Sequence, residues 1–460
     1  MHKILSIRAC ILLLAGLYGP AAVQPAAAEP KRCDTSLQAN APLTLSAAVD
    51  TALCLNARTA SAWAAIDAQT AQVGLAKAAY LPTINGSITA QTNATQYPGS
   101  DTPGNRVKGH TSYLGLNWRL FDFGERAANE ASAVTLLSAA MASHDDAVRK
   151  TLSDTVQAYF AALQARTTLD AKKYAAELSQ KTVAAAQRRE AKGVTSRSDT
   201  LQAETAHARA RLAQQRAKAD FDKAITSLVY VIGVATDTPL TLPEHMAPVP
   251  ATDLPPLSEL LTDARASHPA ILAARAQRDA SERSIAAARS EGRPTVDFSV
   301  SRYQNGYPNQ SIQATRSNTV TAGITLTIPI FDGFARKFKI DQARAQADKS
   351  AIQALDTEYQ VLGDLIKSHA DAVSSLENLD ASKQLIKAAS ASLESASNRY
   401  EHGVGDILEL IIAQNAIGDA MDVLGQFENQ WDSARLKLMI ETGRIDRARL
   451  TAPDSAAPTP

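Results

Sequence analysis

From about residue 125 to residue 192 the sequence keeps a helical period, and only Gly193 breaks it. At 1.5 Å per residue, roughly 68 residues extend about 100 Å, a diameter no compact globule has. Within the run, Val148, Leu152, Val156, Tyr159 and Leu163 step by four, four, three and four, the seam of a packed helix. The composition agrees: the 45% hydrophobic share is inflated by alanine and aromatics are only 5%, which suits long helices with narrow packing seams.

The long run is half of a larger regularity. Leu45, Ser46, Lys77, Pro82 and Thr83 match Leu257, Ser258, Arg289, Pro294 and Thr295 at a constant shift of 212. Further on the shift is 210, aligning Phe121, Asp122, Arg126, Arg189, Gly193, Val194 and Ala203 with Phe331, Asp332, Arg336, Arg399, Gly403, Val404 and Ala413. One structural unit is written twice. In copy one a helix is expected from about 46 to 80, stopping before Pro82. Two alternating stretches follow, then the long helix from the Phe-Asp motif, then a helix over about 197 to 231. The matching helices of copy two are expected over about 257 to 291, 334 to 402 and 406 to 443. The two shorter helices of a copy sum to about the length of the long one, so stacked end to end they would lie alongside it. A segment rich in proline and threonine, 234 to 256, connects the copies.

The alternating stretches are the stranger part. Val320, Ala322, Ile324, Leu326, Ile328 and Ile330 alternate with Thr321, Gly323, Thr325, Thr327 and Pro329. Leu114, Leu116, Trp118 and Leu120 alternate with Tyr113, Gly115, Asn117 and Arg119, and Val296, Phe298 and Val300 with Asp297, Ser299 and Ser301. One such stretch reads as a half-buried strand packed on helices; four, of about ten residues each, also fit an outer-membrane barrel. Open sheet edges are not tolerated in lipid, and four strands do not close around a lumen. Strands that span a membrane here therefore require several chains, with 93 to 109 and 304 to 317 as outward loops.

Targeting points the same way. Lys3 and Arg8 precede an apolar run from Ala9 to Gly16, and Ala26 to Ala28 closes a secretory signal. Two cysteines follow it, Cys33 and Cys54, and an oxidising compartment favours a disulfide between them, with two separate thiols as the alternative. No apolar run of membrane-spanning length follows the signal. The balance of 47 basic and 47 acidic residues argues against nucleic acid as a partner.

The order of elements resembles the TolC family of outer-membrane efflux proteins. The match rests on "YLPTINGSI" and "RPTVDFSVS" before the strands, "LFDFGER" and "IFDGFAR" after them, and "RREAKGVTSRSDTLQAE" and "NRYEHGVGDILELIIAQ" at the helix turns. "CDTSLQANAPLTLSAAVDTALCLN" is similar to the branch serving type I secretion. The resemblance implies a mostly α, α+β chain with two internal repeats. Its trimer builds one 12-stranded β-barrel, four strands per chain, in outer-membrane lipid, continued by an α-helical coiled-coil tunnel through the periplasm. The implied organisation is a signal peptide at 1–28, an arm at 29–44, a first repeat at 45–232, a connector at 233–256, a second repeat at 257–444 and a tail at 445–460. Phe121, Asp122, Phe331 and Asp332 mark the junctions where strands hand over to helices.

Both long helices end alike, at Gly193-Val194 and Gly403-Val404, with Asp199 and Glu409 six residues beyond each glycine. Ser196 to Asp199 and Asp406 to Glu409 have capping-box spacing or a close variant, and glycine ends a helix on its own account. By resemblance these turns are the periplasmic gate. Asp199 and Tyr400 match positions used in polar links between neighbouring helices, and Glu409 an acidic constriction residue. Gly405 stands where a basic gate partner is expected and Ile412 where a second acid ring is expected, leaving Arg189, Arg399 or Arg197 to tie the gate. The resemblance implies as partners a periplasmic adaptor and an inner-membrane ABC, RND or similar transporter, with protein or small-molecule cargo. A periplasmic coiled-coil scaffold is the alternative, and a trimeric surface adhesin a weaker one. Nothing points to an enzyme, a metal or a cofactor: the histidines are scattered, and the phosphate-loop, dinucleotide and nucleophile-elbow patterns are missing.

Overall fold

The computed structural model describes residues 42–99, 101, 104–235, 237–243, 254–306 and 316–443. The signal segment, Cys33, most of the inter-copy connector and the tail from residue 444 lie outside these residues. Copy one comprises α1 (Leu45–Leu55), α2 (Ala57–Ala78), β1 (Thr83–Thr95), β2 (Asn105–Phe121), α3 (Glu125–Ala191) and α4 (Arg197–Ile232). Copy two repeats the order as α5 (Leu257–Ser267), α6 (Pro269–Ser290), β3 (Thr295–Gly306), β4 (Arg316–Thr327), α7 (Ala335–Glu401) and α8 (Ile407–Glu441). Each long helix has 67 residues.

The expected first helix of each copy is in fact two. Asn56 leaves the helical region, accepts the Arg58 amide on its side chain and donates from Nδ2 to Val231 O at 2.9 Å. His268 does the same in copy two, accepting the Ala270 amide at 3.2 Å, because Pro269 pushes its predecessor out of the helical region. Each break is where the end of another helix abuts. Gly233, left-handed at φ +77 after α4, approaches Leu55 so closely that a Cβ there would lie 2.9 Å from its carbonyl oxygen. At the second break the α8 terminus meets α3, where Arg149 donates to Glu441 O at 2.7 Å.

The stacking expected from helix lengths is present: α2 and α4 both pack along α3, and α6 and α8 both pack along α3 and α7. The layer therefore runs α2, α3, α6, α7 toward the sheet and α4, α3, α8, α7 toward the far tips. Its main core lies where α1, α3 and α4 meet, around Val49, Val156, Tyr159, Phe160, Leu228 and Ile232. Tyr159 donates its hydroxyl to Leu43 O at 2.9 Å.

The sheet is an antiparallel meander in the order β1-β2-β3-β4. Its strands run 12 to 17 residues rather than about ten, since the backbone ladder continues past the apolar stretch into polar sequence. β4 instead stops at Thr327, short of Ile328 and Ile330, where Pro329 has no amide to donate. The register places Ile84, Leu116, Val300 and Ala322 in one row and Trp118, Phe298 and Ile324 in another on the same face. The opposite face carries Asn85, Gly115, Ser301 and Thr321 in one row and Arg119 and Asp297 in another. Among the described residues no helix packs on this sheet. Its apolar face is bare, with Ile88 83% and Val320 69% exposed, which excludes strands that pack on the chain's own helices.

Candidate gate at the helical tips

At the far end α3 turns into α4 and α7 into α8. Gly193 and Gly403 take left-handed φ of +71 and +79, the conformation a helix C-terminus needs and glycine reaches at least cost. Gly405 then donates to Arg399 O at 2.9 Å, and a Cβ on it would lie 2.9 Å from Tyr400 N. This explains the missing basic residue at 405: the turn is too tight for any side chain. Ser196 caps α4, taking the Asp199 amide at 3.3 Å and donating its hydroxyl to the Asp199 carboxylate at 3.0 Å. Asp406 caps α8 through the Leu408 amide at 3.4 Å rather than through a box with Glu409.

The two tips are joined through Arg189 and Tyr400. Arg189 donates from Nη1 to Tyr400 O at 2.5 Å, and its guanidinium lies 4.8 Å from the centre of the Tyr400 ring. Tyr400 is 4% exposed, packed with Ala186, Ala203, Ala396, Ile407 and Leu410. Burial raises its phenol above the ordinary value; Arg189 opposes this, and the Asp199 and Asp406 carboxylates add to it. The Tyr400 hydroxyl, the Thr195 and Thr200 hydroxyls and Arg189 Nε are buried without a hydrogen-bond partner among the described residues. Asp199, committed to Ser196, makes no hydrogen bond to Tyr400.

Glu409 meets Arg399 at 2.9 Å, both about half exposed, and Arg197 meets Glu190 at 3.5 Å. Val194, Val404 and Ile412 stand exposed at the tips. Higher up, α3 is clasped to α8 by contacts the sequence did not announce. Gln414 donates to Thr182 Oγ1 at 2.7 Å inside the layer, and Thr168 to Asp422 at 2.7 Å. Lys172 sits between Asp419 at 3.3 Å and Asp422 at 3.1 Å. Burial works against the Lys172 ammonium, but the two carboxylates outweigh it and raise its pKa.

The two strand-to-helix junctions share a plan. Each places two successive residues at positive φ, Phe123 and Gly124 in copy one, Gly333 and Phe334 in copy two, and turns the chain into the long helix. Asp122 accepts the amides of Gly124 at 3.2 Å and Arg126 at 3.0 Å, and Arg126 Nε at 2.7 Å. Arg126 also donates to Arg119 O at 2.8 Å and lies 4.7 Å from the Tyr80 ring centre. Burial alone would raise the Asp122 carboxyl, yet these bonds hold it below its ordinary value. Asp332, in contrast, is exposed and accepts only the Arg336 amide, at 2.9 Å.

Cys54 is disulfide-bonded; Cys33 lies outside the described residues. Among the described residues no helix is long and apolar enough to cross a membrane, and no His, Cys, Asp and Glu group is arranged to hold a metal.

A family model described as outer membrane efflux protein matches residues 48–234 and 260–444, one match per copy. Protein CyaE of Bordetella pertussis is 34% identical over 411 residues, 89% of this chain and 85% of its own length. The alkaline protease secretion protein AprF of Pseudomonas aeruginosa is 22% identical over 278 residues, 57% of this chain and 55% of its own. The CmeC outer membrane channel of Campylobacter jejuni has the same fold, with a TM-score of 0.77 at 17% identity, covering 89% of this chain and 91% of that one.

Proposed function

The chain belongs to the outer membrane efflux protein family, which makes it the outer-membrane exit duct of a tripartite export system and not an enzyme, and from this premise we propose that three copies close into one channel. The observation that carries the proposal is the sheet: apolar on one bare face, polar on the other, with β1 and β4 as its two open edges. Lipid tolerates no unpaired edge, so β4 of one copy pairs with β1 of the next until 12 strands close.

The helices support the same assembly. On α7, Phe338, Ile352, Tyr359, Ile366 and Val373 recur at multiples of seven and stand 37% to 69% exposed. That is a coiled-coil seam without a partner among the described residues. Trp63 and Leu75 on α2 and Leu212 on α4 stand exposed at the other edge of the layer, where a neighbouring α7 is received.

In this reading the tips are the periplasmic mouth. Arg189 on Tyr400 and Arg399 on Glu409 hold it at rest, taking the place of a basic residue at 405. The adaptor docks beside them, in a groove of about 640 Å³ bordered by Leu201 and Thr205 of α4 and Leu408 and Ile411 of α8, with Lys172 in its floor. Energy comes from an inner-membrane ABC, RND or similar transporter. Protein is the cargo we favour, since a relative is named for protease secretion and the segment that ends at Cys54 resembles the branch serving type I secretion. The family's description as efflux proteins supports small molecules as the second reading.

Native mass spectrometry and planar-bilayer recording of the purified full-length protein test the assembly. A trimer with discrete conductance is expected, and a monomer without pore activity would overturn it. Deleting the gene then separates cargoes: loss of a secreted protein from the medium supports the first, and drug sensitivity with an unchanged medium the second.

A further inference from the structure

The outward face of the sheet is not apolar along its whole length. In the outer part of the aliphatic band the register brings Arg302 of β3 between Leu114 and Val320, one row short of Ile88, and two rows farther out than Arg302 it brings Arg316 of β4 beside Gly306, itself paired with His110 of β2. Lys108 and Arg106 follow at the next two outward positions of β2, opposite Thr92 and Ala94. All five side chains are exposed. Among the described residues none of them forms an ion pair, and that face of the four strands holds no carboxylate. The only acid within the strands, Asp297, points to the opposite face and is bonded to Arg119 at 3.0 Å. The cations stand at the end of the strands away from the helices, so in the membrane they lie at the outer leaflet.

Four guanidinium or ammonium groups in the outer part of an apolar face, in no ion pair among the described residues, fit an anionic neighbour. We propose that this girdle binds the phosphate groups of the outer-leaflet lipid, with Arg302 and Arg316 as its centre and Lys108 and Arg106 as its upper rim. Arginine takes a phosphate bidentately, while lysine contributes a point charge. Because the patch recurs in each copy, a closed barrel carries three, spaced around its circumference. The assignment rests on the reading that the bare apolar face meets lipid.

The experiment uses the full-length protein in detergent, titrated with lipid A carrying its phosphates and with dephosphorylated lipid A, and read by native mass spectrometry. The wild type is expected to retain the phosphorylated form preferentially. A charge near a membrane surface is worth about 1 kcal/mol, or roughly fivefold, so Arg302→Gln with Arg316→Gln lowers that affinity about 25-fold and leaves the dephosphorylated form unaffected. The Lys double variant restores most of the binding, and Arg119→Gln, on the other face, leaves both lipid affinities unchanged. Equal affinity of the wild type for both lipids, or an unchanged Gln double variant, overturns the proposal. Inorganic phosphate that competes at concentrations equal to the lipid would also overturn it, since the site would then be for a free anion. Conductance in a neutral-lipid bilayer separates the two readings. A wild type that conducts but shows no phosphate preference removes the girdle alone, whereas one that never conducts removes the barrel.

Discussion

Asp122 and Asp332 occupy the same position in the two copies and make different contacts, so one substitution performed twice tests the account of the junctions. Asp122 is 6% exposed and accepts three hydrogen bonds, two of them from Arg126. Removing one partner from a buried ion pair costs about 3–5 kcal/mol. Arg126 keeps its bond to the Arg119 carbonyl, which places Asp122→Ala at the lower end, ~3 kcal/mol per chain. Asp332 is exposed with a single amide bond, so Asp332→Ala costs about 1 kcal/mol, like the loss of a helix cap. With an unfolding entropy near 2.1 cal/mol/K per residue over roughly 400 residues, these become shifts of about 3–4 °C and about 1 °C in Tm. Circular dichroism of the detergent-solubilised protein during heating reads both. The pH dependence supplies a second check. The Asp122 carboxyl is lowered in the folded chain, so its contribution is complete above the ordinary carboxylate pKa and is lost as pH falls through the lower folded value. The gap between wild type and Asp122→Asn therefore narrows in strong acid. Equal Tm shifts for the two alanine variants would refute the reasoning, because burial and bond count would then not govern the junctions.

Further outcomes follow from the tips, the lumen wall and the seam. Tyr400→Phe is expected to leave conductance and stability unchanged, since the lost hydroxyl has no partner among the described residues, whereas Tyr400→Ala opens a cavity costing about 3–5 kcal/mol and Arg189→Met raises single-channel conductance. The pair of Arg399 and Glu409 is half exposed and worth less than about 1 kcal/mol, so Glu409→Gln shifts cation block in bilayer recordings without a measurable change in Tm. Arg119 and Asp297 are the charged residues of the described polar sheet face, and reversal potentials read their loss with opposite signs: Asp297→Asn drives selectivity toward anions and Arg119→Gln toward cations. Ile352→Asp on the α7 seam is expected to yield monomers in native mass spectrometry.

Much of this was legible before any coordinates. The double register of Phe-Asp and Gly-Val motifs located both junctions and both tips, because each depends on local requirements that a sequence displays. At each junction an aspartate accepts an amide of the first helical turn, and each long helix is followed by a left-handed glycine. The break at His268 was also displayed, through Pro269, although the continuous period around it masked the signal. Asn56 was harder, since an asparagine becomes a helix break only when the end of α4 arrives to take its amide. The stacking of Arg189 on Tyr400 and the clasp of Lys172 between Asp419 and Asp422 join residues more than two hundred positions apart. Such meetings follow from the packing of one hairpin on the other, and no local pattern records them. At Gly405 the sequence showed a departure whose cause, a turn closed on the Arg399 carbonyl, is visible only in three dimensions.

The inequality of the two aspartate junctions reaches beyond stability. Around the ring proposed above, buried anchorages under α3 would alternate with exposed ones under α7. A load applied at the far tips would then pass first through the three legs with buried anchorages. The two copies thus give the proposed ring six similar legs, of which every second one is held at its base by a buried ion pair and the others by exposed contacts, Arg336 to the Arg289 carbonyl and Lys339 to Glu291.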